Sequence, residues 1–345
     1  MIYTEWGKLR EIIVGKAYDS DCLKDVKDNE FAEGMGRILE ETEEDFTKLQ
    51  RLLEDTGAVV HRPKNTIFGH EHTRHWSSNF PYPAICPRDF HIVYGNTILG
   101  TIGGDCNRYT ESDYYVDIMI DKFKEGRNYI SMPKPILSTE YDWYQNRENQ
   151  ILFHAACFLK CGDTIVHTMP YVPDKDGERI HGRGTWTGLD WIKRNINHDV
   201  KWAQMPASGH ADGKIALIKP GLLLCWNRKH VPEELKHWDY IEVKRKPLPD
   251  YFDHIKTQHF YKTKVVDWLN SWIGYVDETV FDINVLSIDE NTLLTNGYDA
   301  DVASQLKRYG VDMVPFDFRH KYFWDAGLHC ITLDLARDGG PDSYV

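Results

Sequence analysis

No stretch of this chain approaches the roughly 20 apolar residues a helix needs to cross a bilayer, which excludes a membrane-spanning helix. Dense positive charge is missing too. The 41 Lys and Arg residues are outnumbered by 53 Asp and Glu, for a formal charge of −12, and nothing resembles the basic block that phosphate backbones require. Nucleic acid is therefore excluded as the main partner, and a small polar substrate is expected instead. Cysteine is sparse, 7 in 345 residues, odd in number and scattered, which points to a reducing, cytoplasmic setting. The opening Met-Ile-Tyr-Thr-Glu-Trp-Gly lacks the basic region and apolar run of a secretory leader. A Gly-rich phosphate loop is absent as well, and no cofactor is expected.

What the chain does have is bulk: 41% hydrophobic and 13% aromatic residues suffice for a large core, in one domain or two. Apolar strands come in pairs, each pair joined by a turn of Gly, Asn, Asp or Pro: residues 91–100, 158–167, 215–224 and 285–294. A fifth pair forms if the N-terminal strand Glu11 to Gly15 joins a C-terminal strand, Cys330 to Leu335. That pairing closes a ring. Between hairpins, amphipathic stretches from Phe31 to Asp55, Leu189 to Asn195 and Val302 to Tyr309 each end in a turn and a further strand. The repeated module is hairpin, helix, strand, diluted by insertions around residues 170–184 and 228–251. An α/β propeller-like ring of ββαβ modules is expected, with an ordinary α/β sheet domain as the competing reading.

In such a ring the residues just before each hairpin face one centre, and here they carry unusual chemistry. Pro87-Arg88-Asp89 enters the first pair, Phe153-His154-Ala-Ala-Cys157 the second and Gly209-His210-Ala-Asp212 the third, while His329-Cys330 enters the last. A thiol, imidazoles and two carboxylates then share one cavity. Such a set suits a planar guanidinium: carboxylates accept its N–H groups, a thiolate attacks its central carbon, and an imidazole protonates the departing amine.

Pro87-Arg-Asp89 before Ile92-Val-Tyr-Gly-Asn96, Gly209-His-Ala-Asp212 before a strand, and Leu328-His-Cys-Ile-Thr332 resemble the glycine amidinotransferase family. The likeness runs nearly end to end, from Glu5 to Gly15 through Asn284 to Asn291 to Cys330 to Asp334. It implies the five-bladed, pseudo-symmetric pentein propeller of the guanidino-group modifying enzymes, with residues 1–345 as a single domain around a central active-site cavity. By that resemblance Cys330 is the nucleophile, His210 the general acid and base, and Asp89 and Asp212 the guanidinium clamps. Arginine would donate its amidino group, through a covalent amidino-cysteine, to an amine acceptor, releasing ornithine. A symmetric homodimer is the default assembly.

Two positions depart from the family. His154 stands where amidinotransferases carry an aspartate, in Phe-Asp-Ala-Ala, and deiminases of the superfamily a glutamate; that carboxylate partners the histidine. Another acid, such as Asp163 or Glu148, would have to replace it if His154 does not. Thr101-Ile-Gly-Gly-Asp105 also replaces an expected Trp- and Arg-bearing segment, leaving Arg183 and Arg319 as candidates for a substrate carboxylate. Two other activities stay open: an arginine deiminase-like hydrolase, if water resolves the intermediate, and a catalytically impaired ring kept as a binding module.

Plainer readings also stand beside each residue. Cys330 can be a buried structural thiol, His210 and Asp212 a capped turn, Asp89 a surface partner of Arg88 or Arg108, and His154 a core histidine. Cys157 and Cys161 lie on or beside a strand, which disfavours a redox or zinc role. His70-Glu-His-Thr-Arg-His75 gathers imidazoles, but position 74 is Arg, so the zinc-protease spacing is broken and a loop over the cavity is expected, with no metal.

Overall fold

The computed structural model describes residues 1–24, 29–64, 83–103, 108, 111–134, 150–173, 179–181, 183–196, 199–244 and 282–345. Its first blade assembles from both ends of the sequence. Strand β1 (Leu9–Val14) pairs antiparallel with β17 (Thr332–Arg337) and parallel with β2 (Val59–His61), with Ile13 opposite Leu333. The other four blades repeat the order within local sequence. They comprise β3 (His91–Tyr94), β4 (Thr97–Gly100) and β5 (Asn128–Ser131), then β6 (Phe158–Cys161), β7 (Thr164–Met169) and β10 (Lys201–Ser208). Next come β11 (Ile215–Lys219), β12 (Leu222–Cys225) and β13 (Asp239–Glu242), and finally β14 (Leu286–Asp289), β15 (Thr292–Thr295) and β16 (Asp312–Pro315). In every blade the hairpin is antiparallel and the third strand joins parallel, so all five sheets share one connectivity. The five expected strand pairs are all present, at nearly the expected residues.

A parallel third strand requires a crossover, and helices supply it. These are α1 (Asn29–Asp55), α2 (Val116–Lys124), α3 (Trp186–Asn195) and α4 (Ala300–Arg308). Helix α1 buries Met35, Ile38, Leu39, Phe46, Leu49 and Leu53, the 3.6-residue stripe legible in its sequence, against the first blade. Thr185 caps α3, accepting from the Gly188 N–H, and Asp299 caps α4, accepting from Asp301 and Val302. The β12–β13 crossover departs from the helical module: 3-10 turns at Arg228–His230 and Glu233–Leu235 bridge it, with Pro232 between them unable to donate a helical hydrogen bond. The first insertion forms a separate hairpin of β8 (Tyr171–Pro173) and β9 (Arg179–His181).

Strands β3, β4, β6 and β12 are buried at every residue, because each hairpin is covered on both faces. No helix among the described residues is long and apolar enough to cross a membrane. The last short helix, α5 (Lys321–Trp324), ends at Asp325 with φ of 47°, a left-handed residue that turns the chain toward the ring centre just before Cys330. The sequence expected the C-terminal strand to begin at Cys330. Pairing begins at Thr332, and the thiol sits in the preceding turn, where its backbone is held by a side chain instead of a neighbouring strand.

Candidate active site

Three blades open with the same device, a single 3-10 turn feeding the inner strand: Pro87–Asp89 before β3, Ala155–Cys157 before β6 and Ala211–Gly213 before β11. His154 and His210 occupy equivalent positions at the head of their turns, with φ, ψ of −73°, 133° and −70°, 133°. Equal backbones on adjacent blades bring the rings together, His154 Nδ1 lying 2.9 Å from His210 Nε2. The turns touch in sequence around the centre, and β17 packs against the first of them. The ring thereby converts local sequence similarity into a single cluster.

Five sequence-selected residues meet there. His210 Nδ1 lies 3.9 Å from Asp89 Oδ1. Cys330 Sγ donates to Asp212 Oδ2 at 3.5 Å and accepts from Asn284 Nδ2 at 3.1 Å. The ligating atoms of His210, Asp212 and Cys330 fall within 4.8 Å of one another, as do those of Asp89, His154 and His210. Asp89 and Asp212 each spend one oxygen on a protein partner, Oδ2 to Arg108 NH1 at 2.7 Å and Oδ2 to His329 Nδ1 at 2.8 Å. Their Oδ1 atoms are buried and have no hydrogen-bond partner among the described residues. Buried carboxylate oxygens without donors are costly, by about 1–3 kcal/mol or more each, unless a cation comes to meet them.

Electrostatics fits a cation receptor. Burial, followed by Asp212 and Asp89, pushes the Cys330 thiol well above its usual range, so the thiol is protonated until positive charge arrives. Burial holds His210 down to about 4, with Asp89 opposing and the Arg183 charge reinforcing, so the imidazole is neutral and able to take a proton. Burial alone would raise the Asp89 carboxyl, but Arg108, then His210 and His154, hold it below its ordinary value.

A second tier fixes these groups. Asn284 Oδ1 accepts from the backbone N–H of both His329 and Cys330 at 3.0 Å while its amide reaches Sγ, and Asn296 holds the Asn284 carbonyl at 2.6 Å. His329 bridges Asp212 to Glu5 Oε2, 3.1 Å from its Nε2. Arg88 donates to the carbonyls of His329 and Thr332 and pairs with Asp334. Arg108 also reaches Glu111 at 2.7 Å. Burial pushes Glu111 up to about 8 despite that contact.

Several expectations change on contact with these distances. Arg319 is not part of the cluster: its guanidinium meets Asp45 at 2.9 Å, Glu44 at 2.8 Å and the Glu41 carbonyl, all on α1. Those acceptors recur at helical spacing on one face of α1, which gives the arginine a complete partner set there. Asp163 sits in the β6–β7 turn, paired with Lys201 at 2.8 Å, and does not stand in for the missing carboxylate; the imidazole of His154 occupies that place itself. Arg183 lies beside the cavity, its carbonyl accepting the His154 N–H at 2.8 Å. Asp89 does pair with Arg108, as its plainer reading has it, yet the pair is buried and uses only one oxygen. Asn284, Arg108, Glu111, Glu5 and Arg88 were not selected from sequence. The presence of Glu5, Arg88 and Asn284 in matching motifs was the available signal; Arg108 and Glu111 had none. Glu148 and His70 to His75 lie outside the described residues.

Comparison with known proteins adds the missing context. No family model matches the chain. The L-arginine:L-lysine amidinotransferase of Pseudomonas savastanoi pv. phaseolicola is 26% identical over 382 residues, covering 99% of this chain and 96% of that protein. The mitochondrial glycine amidinotransferase of Gallus gallus is 24% identical, covering 99% and 84%. Among solved structures, the inosamine-phosphate amidinotransferase of Streptomyces griseus superposes with a TM-score of 0.70 at 22% identity, over 99% of this chain and 98% of that one. A dimethylarginine dimethylaminohydrolase of Pseudomonas aeruginosa, complexed with citrulline, gives 0.57 at 11% identity over 95% and 100%. With five blades of one connectivity and end-to-end similarity to proteins of one enzyme class, the chain has the pentein fold and resembles the amidinotransferases along its whole length.

Proposed function

We propose that the chain moves the amidino group of L-arginine to an amine acceptor through an amidino-Cys330 intermediate, releasing ornithine. The observation that carries this reading is the pair of buried, partnerless Oδ1 atoms on Asp89 and Asp212, beside the Cys330 thiol and the neutral His210. A guanidinium is planar, cationic and rich in N–H donors, so it completes both carboxylates at once. Its charge also relieves the two carboxylates that keep the thiol protonated.

Cys330 Sγ bonds to the guanidinium carbon while the thiol proton passes to His210. The C–N bond to the ornithine nitrogen then breaks, His210 returns the proton to that nitrogen, and an S-amidino-cysteine remains. An incoming amine gives its proton to His210 and attacks the same carbon, and the C–S bond breaks to regenerate the thiol. His154 serves as the orienting partner of His210 in place of a carboxylate. Arg183 is the remaining candidate for the donor's carboxylate.

Purified protein incubated with arginine and a panel of amines that includes glycine and lysine tests the reading. Ornithine that depends on both the amine and Cys330, absent in Cys330→Ala, is the expected result. Citrulline in its place would make the protein a hydrolase. Neither product in any mixture would leave a binding ring.

A further inference from the structure

We propose that Asp89, His154 and His210 form a site for a divalent transition-metal cation of the zinc type, within the Cys330 cavity and mutually exclusive with a guanidino ligand. Metal binding itself does not depend on the reaction proposed above; only the competition rests on that reading.

The donor set is two imidazoles and one carboxylate, which suits zinc and its neighbours better than calcium or magnesium. The ligating atoms already lie within 4.8 Å of one another. A zinc–nitrogen distance of roughly 2.0–2.1 Å places two ligand nitrogens about 3.3 Å apart at the tetrahedral angle, and His154 Nδ1 and His210 Nε2 stand 2.9 Å apart. One cation can therefore replace the shared proton once the two rings part by a few tenths of an ångström and tilt to aim both nitrogens at it. The third donor is prepared as well: Asp89 is 2% exposed and its Oδ1 has no hydrogen-bond partner among the described residues. Arg108 holds the other oxygen and sets the carboxylate's direction, as outer partners of metal ligands do.

Position 154 decides the matter. An aspartate there would leave one imidazole among carboxylates, a harder and less zinc-selective set. His154 is fully buried, and a Cβ at Gly103 would lie 1.8 Å from its Nε2. The glycine thus provides the notch that the imidazole fills, holding its Nδ1 toward His210. Cys330 is engaged by Asp212 and Asn284, so the fourth metal position falls to water.

Titration of the full-length protein with Co2+, followed by visible absorption, and with Zn2+, followed by calorimetry, tests this. One equivalent is expected to bind with the d–d bands of a four-coordinate site and no thiolate charge-transfer band. His154→Ala and Asp89→Asn should each weaken it on the order of 100-fold or more, since even an outer partner costs 10–100-fold. Cys330→Ala should leave it unchanged. His154→Gln, close in volume, serves if the alanine variant fails to fold, and melting curves without metal separate the cases. Arginine should lower metal affinity. Binding that survives in both His154 variants, or that is lost in Cys330→Ala, would overturn the proposal. Ornithine formation without one-equivalent metal binding sinks this inference and spares the reaction; metal binding without turnover does the reverse.

Discussion

Two clusters of buried charge share the centre of the ring, and they are built to opposite rules. Beneath the site, Glu5 meets Lys160 at 2.9 Å and His329 at 3.1 Å, while Asp334 pairs with Arg88, with Arg337 at 2.9 Å and with Lys160 at 3.5 Å. Every carboxylate oxygen there has a cationic or imidazole partner. Burial would raise both acids, yet those cations hold each well below the ordinary range. One layer away, Asp89 and Asp212 keep an oxygen each without a donor. A protein interior tolerates that only where something else completes it, so saturation marks the scaffold and incompleteness marks the site.

The contrast breaks most visibly at Asp334. Asp334→Asn leaves Arg88, Lys160 and Arg337 buried with less negative charge, and removing one partner of such a network costs about 3–5 kcal/mol. Chemical denaturation should show that loss, with activity falling alongside it. Asp89→Asn is the converse test: kcat/KM for arginine should drop by roughly 10–150-fold, the worth of about 1.5–3 kcal/mol for a charged hydrogen bond, while stability falls by less than in Asp334→Asn, because one buried cation, Arg108, loses a charged partner instead of three. A loss of stability in Asp89→Asn as large as that in Asp334→Asn would erase the distinction between the clusters. His154→Asp sharpens it by restoring a carboxylate beside His210, and the rate of Cys330 modification by arginine should increase; an unchanged or lower rate would show that the imidazole is native to the mechanism. The smallest effect concerns Glu111. Its folded-state value is raised to about 8, so the folded protein keeps a proton that the unfolded chain releases above about 4.5, and stability drains away as pH climbs from about 5 to 8. Glu111→Gln should flatten that slope in denaturation curves, and an identical slope would show the acid is already ionised.

How far the sequence could be read follows the range of the interactions. Hairpins such as residues 158–167 depend on neighbours a few positions apart, and their alternation is visible in the string. So are the turn residues Asp89, His154, His210 and Asp212, because one device repeats at the head of three inner strands. Asn284 reaches Cys330 across 46 positions and Arg88 reaches His329 across 241, so no local pattern announces either. Arg319 misled for the same reason: its partners on α1 are 274 and 275 positions away. The crossover after β12 lacks a helix where the repeat predicts one, since Pro232 and its two short turns span the gap.

The pairing of β1 with β17 has a bearing on how the protein is made. Cys330 lies in the turn that leads into β17, and its supporting amide, Asn284, comes from the blade before. A growing chain can shape its middle blades as they emerge, at about 5–20 residues per second, but the thiol takes its place only once the distal strand docks beside β1. The surroundings of Cys330 are therefore among the last features the polypeptide acquires. An unfinished copy that lacks β17 therefore also lacks the turn that sets Cys330 beside Asp212 and Asn284.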